Sequence, residues 1–479
     1  MAYRSFLASF ALLLGETCSV FAQPGLTSSK SSEAAAESSP LAITPAVISA
    51  YGDPSPPSQP VNSPAVPTLP DMPFNPGASG TPLMPAFPID QAAFGYPDSP
   101  LPSPSLDYYG VVRPPIVVND PRVYLGANLL LWWMKPTPAA PLITASLPGD
   151  QAILGNPSTV VMFGDREKEL GPFDGGRAQV DWWITENFGI EGVGILFEQR
   201  AQTETFISDT MGNPTIGIPF VDANTGLGNA VVLATNGVSA GGVEVRQTLR
   251  LFGLEANFLT QDGFHQGDFH FRTLFGGRYA ELRETLGIDT STTFLFNNIG
   301  TFGGVPLPAQ SMVNGNDSFA TRNTFTGGQV GFEAIWGSTN LFLTLRGTFA
   351  TGSTHQNATI AGSSTLTLPN GLTVTLPGNL LALSTNSGRT TLDELSVLPE
   401  ASLSVTVNLG DHLHLHGGYS FMYWSNIVRP GDQVDRVINA TLVPLLTPGV
   451  PAGAAQPRVI MNRTDFWAQG ANAGLTLMW

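Results

Sequence analysis

The sequence predicts an all-β chain that crosses an outer membrane as an up-and-down antiparallel barrel of about ten strands. Three observations predict it. The first is composition: 42% of the 479 residues are hydrophobic and 52 are glycine, yet only 12% are charged, about half the share expected of a soluble domain. Beyond the N-terminus no apolar run approaches the roughly 18–20 residues a membrane helix requires, and Leu129–Met134 between Asn128 and Lys135 is the longest candidate. The second is a series of short runs with period-two alternation, the signature of strands with two unlike faces. The third is that the gaps between these runs alternate between short and long, as in barrels with tight periplasmic turns and long outer loops.

The N-terminus sets the compartment. Arg4 supplies a positive start, Ser5–Leu14 an apolar stretch and Val20-Phe21-Ala22 a cleavage site, so residues 1–22 read as a signal peptide. The single cysteine, Cys18, leaves with it, which excludes disulfides and cysteine-based metal or redox chemistry from the mature chain. Residues 23–121 hold most of the 40 prolines, among Ser and Ala. Proline removes backbone donors and favours polyproline II, so this Pro/Ser/Ala-rich segment is expected to be disordered, either as a plain leader or as a periplasmic tether. A net charge of −16 gives nucleic acid or a polybasic membrane-surface role no electrostatic support.

From 122 to 479 ten strands follow in order: Arg122–Met134, Gly175–Thr185, Phe188–Arg200, Gly242–Leu259, Asp268–Arg283, Arg322–Gly337, Asn340–Ala350, Leu395–Leu409, His412–Trp424 and Phe466–Trp479. In the first, Val123, Leu125, Ala127, Leu129, Leu131 and Trp133 alternate against Tyr124, Gly126 and Asn128; in the eighth, Ala401, Leu403, Val405 and Val407 alternate against Glu400, Ser402, Ser404 and Thr406. Thr365–Leu376, alternating across Pro369-Asn370-Gly371, is a hairpin that would raise the count to twelve if it joined the wall. An even count puts both ends of the barrel on the periplasmic side.

Tryptophan supplies a further sign. Trp132, Trp133, Trp424 and Trp467 fall at expected outer strand ends, and Trp182, Trp183, Trp336 and Trp479 at periplasmic ends. Two aromatic girdles at the lipid headgroups are expected of such a barrel. The ending Leu475, Leu477, Trp479 resembles the terminal strand that barrel assembly machinery reads, so that machinery and outer-membrane lipid are the expected partners.

The strings YLGANLLLWWMKPTPAAPLIT (Tyr124–Thr144), ILGNPSTVVMFGD (Ile153–Asp165), GPFDGGRAQVDWWITENFGIEGVGILFEQR (Gly171–Arg200), GYSFMYWSNIVRPGDQVDRVIN (Gly418–Asn439) and TDFWAQGANAGL (Thr464–Leu475) resemble the planctomycete family of putative beta-barrel porins, type seven. These blocks bracket about three quarters of the chain. The resemblance implies an outer-membrane barrel of porin type in a bacterial cell envelope; it says more about fold and location than about transport.

Charge on the strands bears on what the barrel does. Arg177, Asp181, Arg272, Arg278, Glu333, Arg346 and Glu400 mostly share parity with polar neighbours, which points them into the lumen, because a lipid-facing charge at the midplane costs about 2–4 kcal/mol. There they either pair into a plug or line a channel whose charge sets ion preference. If a pore exists, Arg346→Glu is expected to shift cation/anion preference. Eight strands leave a filled interior and 16–18 an aqueous channel, so any pore through ten or twelve is narrow.

His412, His414 and His416 form the most metal-like string. In a strand they share one face about 7 Å apart, too far for three imidazoles to meet one ion at about 2 Å, so a polar lumen row is favoured over a metal site, and no cofactor is expected. An outer-membrane hydrolase is the enzymatic alternative, with His355, Asp393 and Glu394 at two ends of one outer loop, but no motif joins them and the chain is expected not to be an enzyme. In the last long loop Arg429, Asp432, Asp435 and Arg436 either pair internally, folding the loop over or into the barrel mouth, or lie solvated on a surface loop. The expected function is passive diffusion of ions or small hydrophilic solutes; the alternative is a non-conducting structural or adhesive envelope protein that displays its loops.

Overall fold

The computed structural model describes residues 122–479 except 139, 167–168, 267, 339 and 448–449, and leaves the side chains of 261–266 undescribed. The expected signal peptide and Pro-rich segment lie outside the described residues.

Ten strands form the wall: β1 (Val123–Met134), β2 (Phe173–Trp183), β3 (Phe188–Phe197), β4 (Ser239–Gln266), β5 (Phe269–Phe294), β6 (Met312–Gly337), β7 (Leu341–Thr367), β8 (Gly388–Asn408), β9 (Leu413–Val428) and β10 (Arg463–Met478). Each pairs antiparallel with the next, and β10 returns to β1 from Tyr124↔Met478 to Met134↔Ala468. The ring therefore closes on itself and leaves no open edge, as a sheet in lipid must.

Outward positions carry the apolar half of each alternation. Leu129, Val180, Leu254, Phe275, Val330, Leu343, Leu345, Leu403, Val405 and Phe421 are all exposed, a surface that water would not tolerate and lipid covers. The periplasmic turns are short. At the turn between β6 and β7, Gly337 takes φ +150°, and a Cβ there would lie 2.3 Å from the Leu341 carbonyl oxygen, so only glycine closes it without strain.

The wall is uneven in height. Strands β1, β2 and β3 have 12, 11 and 10 residues and β9 and β10 have 16, whereas β4 to β8 have 28, 26, 26, 27 and 21. About ten tilted residues cross the bilayer, so β4 to β8 rise well above it. Their outward residues change where lipid ends: Phe252 gives way to Arg250, Tyr279 to Glu281 and Arg283, Phe349 to Ser353 and His355. The strands expected to begin at Gly242, Arg322 and Leu395, or to end at Arg283 and Ala350, therefore run further outward. Above the bilayer no lipid face enforces alternation, and the Thr-, Ser-, Gly- and Asn-rich extensions carry a weak period.

The long gaps fold rather than dangle. Ile143–Ser146, Val160–Phe163, Thr215–Asp222, Gly228–Ala234 and Val437–Ile438 form a second, five-stranded sheet. Its Ile143, Ile216, Ile218, Phe220 and Val231 pack with Val243, Val245, Leu286, Ile288, Phe319 and Ile360 from the tall strands in one buried cluster. Each such side chain withdrawn from water contributes roughly 1.5–3 kcal/mol, so the outer end is a packed cap. The hairpin over Pro369-Asn370-Gly371 is present, with Thr373–Pro377 paired to the outer end of β7 from Ser363↔Pro377 to Thr367↔Thr373, but it lies off the ring and the wall keeps ten strands.

Candidate functional site

The lumen is the candidate site, and its occupants follow from strand parity. Because side chains alternate along a strand, the residues next in sequence to Leu345, Ala401 and the other outward positions point inward. Inward go Arg177 and Asp181 from β2, Arg272 and Arg278 from β5, Glu333 from β6, Arg346 from β7 and Glu400 from β8, which lie in register with other inward residues.

These groups pair with one another across the lumen. Arg346 donates from Nη1 and Nη2 to Glu191 on β3, four strands away around the ring, at 2.7 and 2.6 Å, and from Nη1 to Glu333 at 2.7 Å. Glu400 accepts from Arg177 and from Arg278, the latter at 2.5 Å. Arg278 also lies 3.6 Å from Glu255, and Gln329 donates to Glu255 and Asn257 at 3.0 and 2.5 Å. Arg272 lies 3.8 Å from Glu333 and rests over the Trp183 ring at 5.2 Å. Asp181 accepts from Gln179, which also donates to Glu191 at 2.9 Å. A cavity inside this network, lined by Arg177, Glu255, Arg346 and Glu400, measures about 30 Å³, room for a water or two.

Above the charges sits an apolar layer. Trp132, Phe173, Phe197, Leu251, Leu282, Phe325, Ala350, Leu398, Trp424 and Phe466 form one buried cluster to which all ten strands contribute. Trp424 meets Phe325 edge-on at 6.1 Å between ring centroids and donates from Nε1 to Thr354 at 3.0 Å. The eight tryptophans accordingly divide by parity. Trp133, Trp182, Trp336, Trp467 and Trp479 face outward, but Trp132 and Trp424, both 0% exposed, and the buried Trp183 face inward. A Trp-Trp pair on a strand must send one ring each way, which corrects the expectation that all eight sit at the headgroups.

The last loop closes the mouth. Arg429, 0% exposed, holds Glu284 at 2.6, 3.0 and 3.1 Å, the carbonyls of Pro136 and Lys135 at 2.6 and 3.2 Å, and the Phe466 ring at 5.8 Å. Its carboxylate partner comes from β5, not from the loop's own acids; Asp435 caps the backbone N–H groups of Val437 and Arg458 at 2.9 and 2.8 Å, and Arg436 reaches the Pro219 carbonyl at 3.4 Å.

At the periplasmic end the three histidines meet three different partners. His412 Nδ1 lies 3.1 Å from the Met478 carbonyl, His414 packs edge-on to Phe342 at 5.5 Å, and His416 Nε2 lies 2.5 Å from Asn128 Oδ1. Among the described residues no group of three His, Cys, Asp or Glu is disposed to hold a metal ion. His355 Nδ1 and Asp393 Oδ1 do meet, at 2.8 Å, as an exposed cross-strand pair on the outward face of β7 and β8.

Sequence reasoning missed Glu191, Glu255, Asn257, Gln329 and Glu284. Glu255 and Asn257 carried a signal, alternating with Leu254, Ala256 and Phe258. Glu191 did not: its neighbours on the same parity, Val193, Ile195 and Phe197, enter the apolar layer, so that strand is apolar on both faces.

Residues 124–479 match the model of the family described as Putative beta barrel porin-7 (BBP7). The chain belongs to this family. No curated protein matches the sequence. Solved structures that resemble it include the outer membrane protease OmpT of Escherichia coli, at 8% identity over 76% of this chain and 98% of that one with a TM-score of 0.33. A Pseudomonas aeruginosa FadL homologue follows at 7%, 76% and 90% with 0.21, and the Pseudomonas putida toluene transporter TodX at 8%, 75% and 92% with 0.18. TM-scores this low carry no argument, so the assignment to an outer-membrane barrel of the BBP7 family rests on the family match and on the closed, lipid-faced ring.

Proposed function

We propose that this BBP7 barrel is a non-conducting envelope protein, an outer-membrane scaffold that holds its folded cap at the cell surface. The observation that carries the reading is the lumen: ion pairs from Arg346 and Arg177 reach across the ring to Glu191 and Glu400, beneath an apolar layer to which every strand contributes. Four arginines pair with four glutamates and Asp181 is held by Gln179, so little charge is left to select an ion. The reading is non-enzymatic as well; the His355–Asp393 pair supports a surface contact, since it stands exposed on the outward wall and not over the lumen.

Passive diffusion of ions or small hydrophilic solutes is the second reading, favoured by membership of a porin family. It requires the Arg429–Glu284 contact and the aromatic layer to move aside. Single-channel recording of the refolded, heat-modifiable barrel in planar bilayers separates the two. The scaffold reading expects verifiably inserted protein with no discrete conductance steps; stable steps in the wild type would establish diffusion and end the scaffold reading.

A further inference from the structure

The outward face of β4, β5 and β6 carries an arrangement that neither the barrel nor its cap uses. Three arginines stand directly opposite one another across the three strands, Arg250↔Arg283↔Arg322. Like charges in register repel, and one carboxylate lies beside them. Glu281 accepts from Arg283 Nε at 2.5 Å, from Arg322 Nε at 2.8 Å and from the Tyr279 hydroxyl at 3.1 Å. The Arg283 and Arg322 side chains remain 54% and 49% exposed. The next outward carboxylates on these strands, Glu244 and Asp289, lie six residues further from the membrane, with Arg246 between. The row thus keeps an excess of positive charge.

Its position gives the charge a meaning. Two rows below, Leu254↔Tyr279↔Thr326 begins the lipid-facing band, and below that comes a row of small residues, Ala256↔Gly277↔Gly328↔Thr351. With Phe258, Phe275, Val330 and Phe349 beneath them, these residues form a groove of about 560 Å³ in the outside of the wall. A Cβ on Gly277 or Gly328 would find its nearest neighbour at 3.8 or 3.9 Å, so the glycines are not demanded by packing. From Gly277 to Arg283 the strand rises about 20 Å along its length, the reach from mid-acyl chain to headgroup once tilt is included.

We propose that this face binds a phosphorylated lipid of the outer leaflet, one acyl chain in the Gly277/Gly328 groove and the phosphate on the Arg250–Arg283–Arg322 row, with Glu281 positioning two of the guanidinium groups. Guanidinium forks suit phosphate oxygens bidentately, and a headgroup at the lipid boundary supplies the anion the row lacks. The site does not depend on whether the lumen conducts.

The test uses the barrel in dodecyl maltoside, an uncharged detergent, with native mass spectrometry of added dioleoyl phosphatidic acid, dioleoylglycerol or inorganic phosphate. Wild type should retain phosphatidic acid about tenfold more tightly than Arg283→Gln/Arg322→Gln and more tightly than Gly277→Leu. Dioleoylglycerol should bind weakly and equally to wild type and the arginine variant. Arg250→Gln, which leaves the Glu281 contacts in place, should also weaken phosphatidic acid, and heat-modifiable migration reports that each variant is folded. Equal retention by the folded arginine variants would overturn the proposal. So would displacement by equimolar inorganic phosphate, which would make the row a site for free anion.

Discussion

Arg346 and Glu400 are the hubs of the lumen, serving three and two partners on other strands. Removing one member of a buried ion pair strands the other, at a cost of about 3–5 kcal/mol. Arg346→Glu goes further and sets a third carboxylate against Glu191 and Glu333. The expected result is a folded barrel with a much lower urea midpoint, or loss of the heat-modifiable form, and not a shift in ion preference. An unchanged midpoint would show that the network contributes little. Which strand residues face inward was readable from parity at Arg177, Arg278 and Glu400. Which residue each would meet was not, because partners such as Arg346 and Glu191 lie 155 positions apart and no local pattern joins them.

The elements that rise above the bilayer behave as a sandwich, and one buried carboxylate ties it together. Asp317 on β6 accepts from the backbone N–H of Ala382 at 2.8 Å and of Leu380 at 3.3 Å and from Asn379 Nδ2 at 2.9 Å. Burial outweighs these donors and pushes its carboxyl up from 3.8 to about 6. The folded cap therefore binds this proton more tightly than the unfolded chain. The group's contribution to stability is complete below about pH 4 and is lost as the pH rises through about 6. Chemical denaturation of the cap, followed by a probe on the segment 380–383, should show stability falling between pH 4 and 7, and Asp317→Asn should flatten that profile. A wild-type profile that rises with pH would contradict the assignment. Sequence alternation found the five tall strands but stopped near the lipid boundary on β5 to β8, following only β4 out to Gly242, since it was lipid that enforced the alternation.

Taken as one body, the protein places its apolar band, its cap and its periplasmic turns at defined heights, and this orientation is open to test in cells. Thr359 lies exposed on the outward face of β7 far above the band, and Leu343 lies within it. A membrane-impermeant maleimide should label Thr359→Cys on intact cells and leave Leu343→Cys unlabelled. Labelling of Thr359→Cys only after the outer membrane is broken would invert the topology.

The sequence alone determined the ring. Lipid presents one uniform apolar solvent to one face of every strand, so each crossing writes a period of two, each turn a short gap, and their number could be counted as ten, with twelve left open by the hairpin across Pro369-Asn370-Gly371 until the structure placed it off the ring. The tertiary structure decided what fills and covers that ring: which tryptophans turn inward, that the charges cancel across the lumen, that Arg429 closes the mouth on Glu284, and that the long gaps fold into a cap. Those outcomes come from contacts between distant strands in a shared interior, where no single solvent imposes a pattern on neighbouring residues.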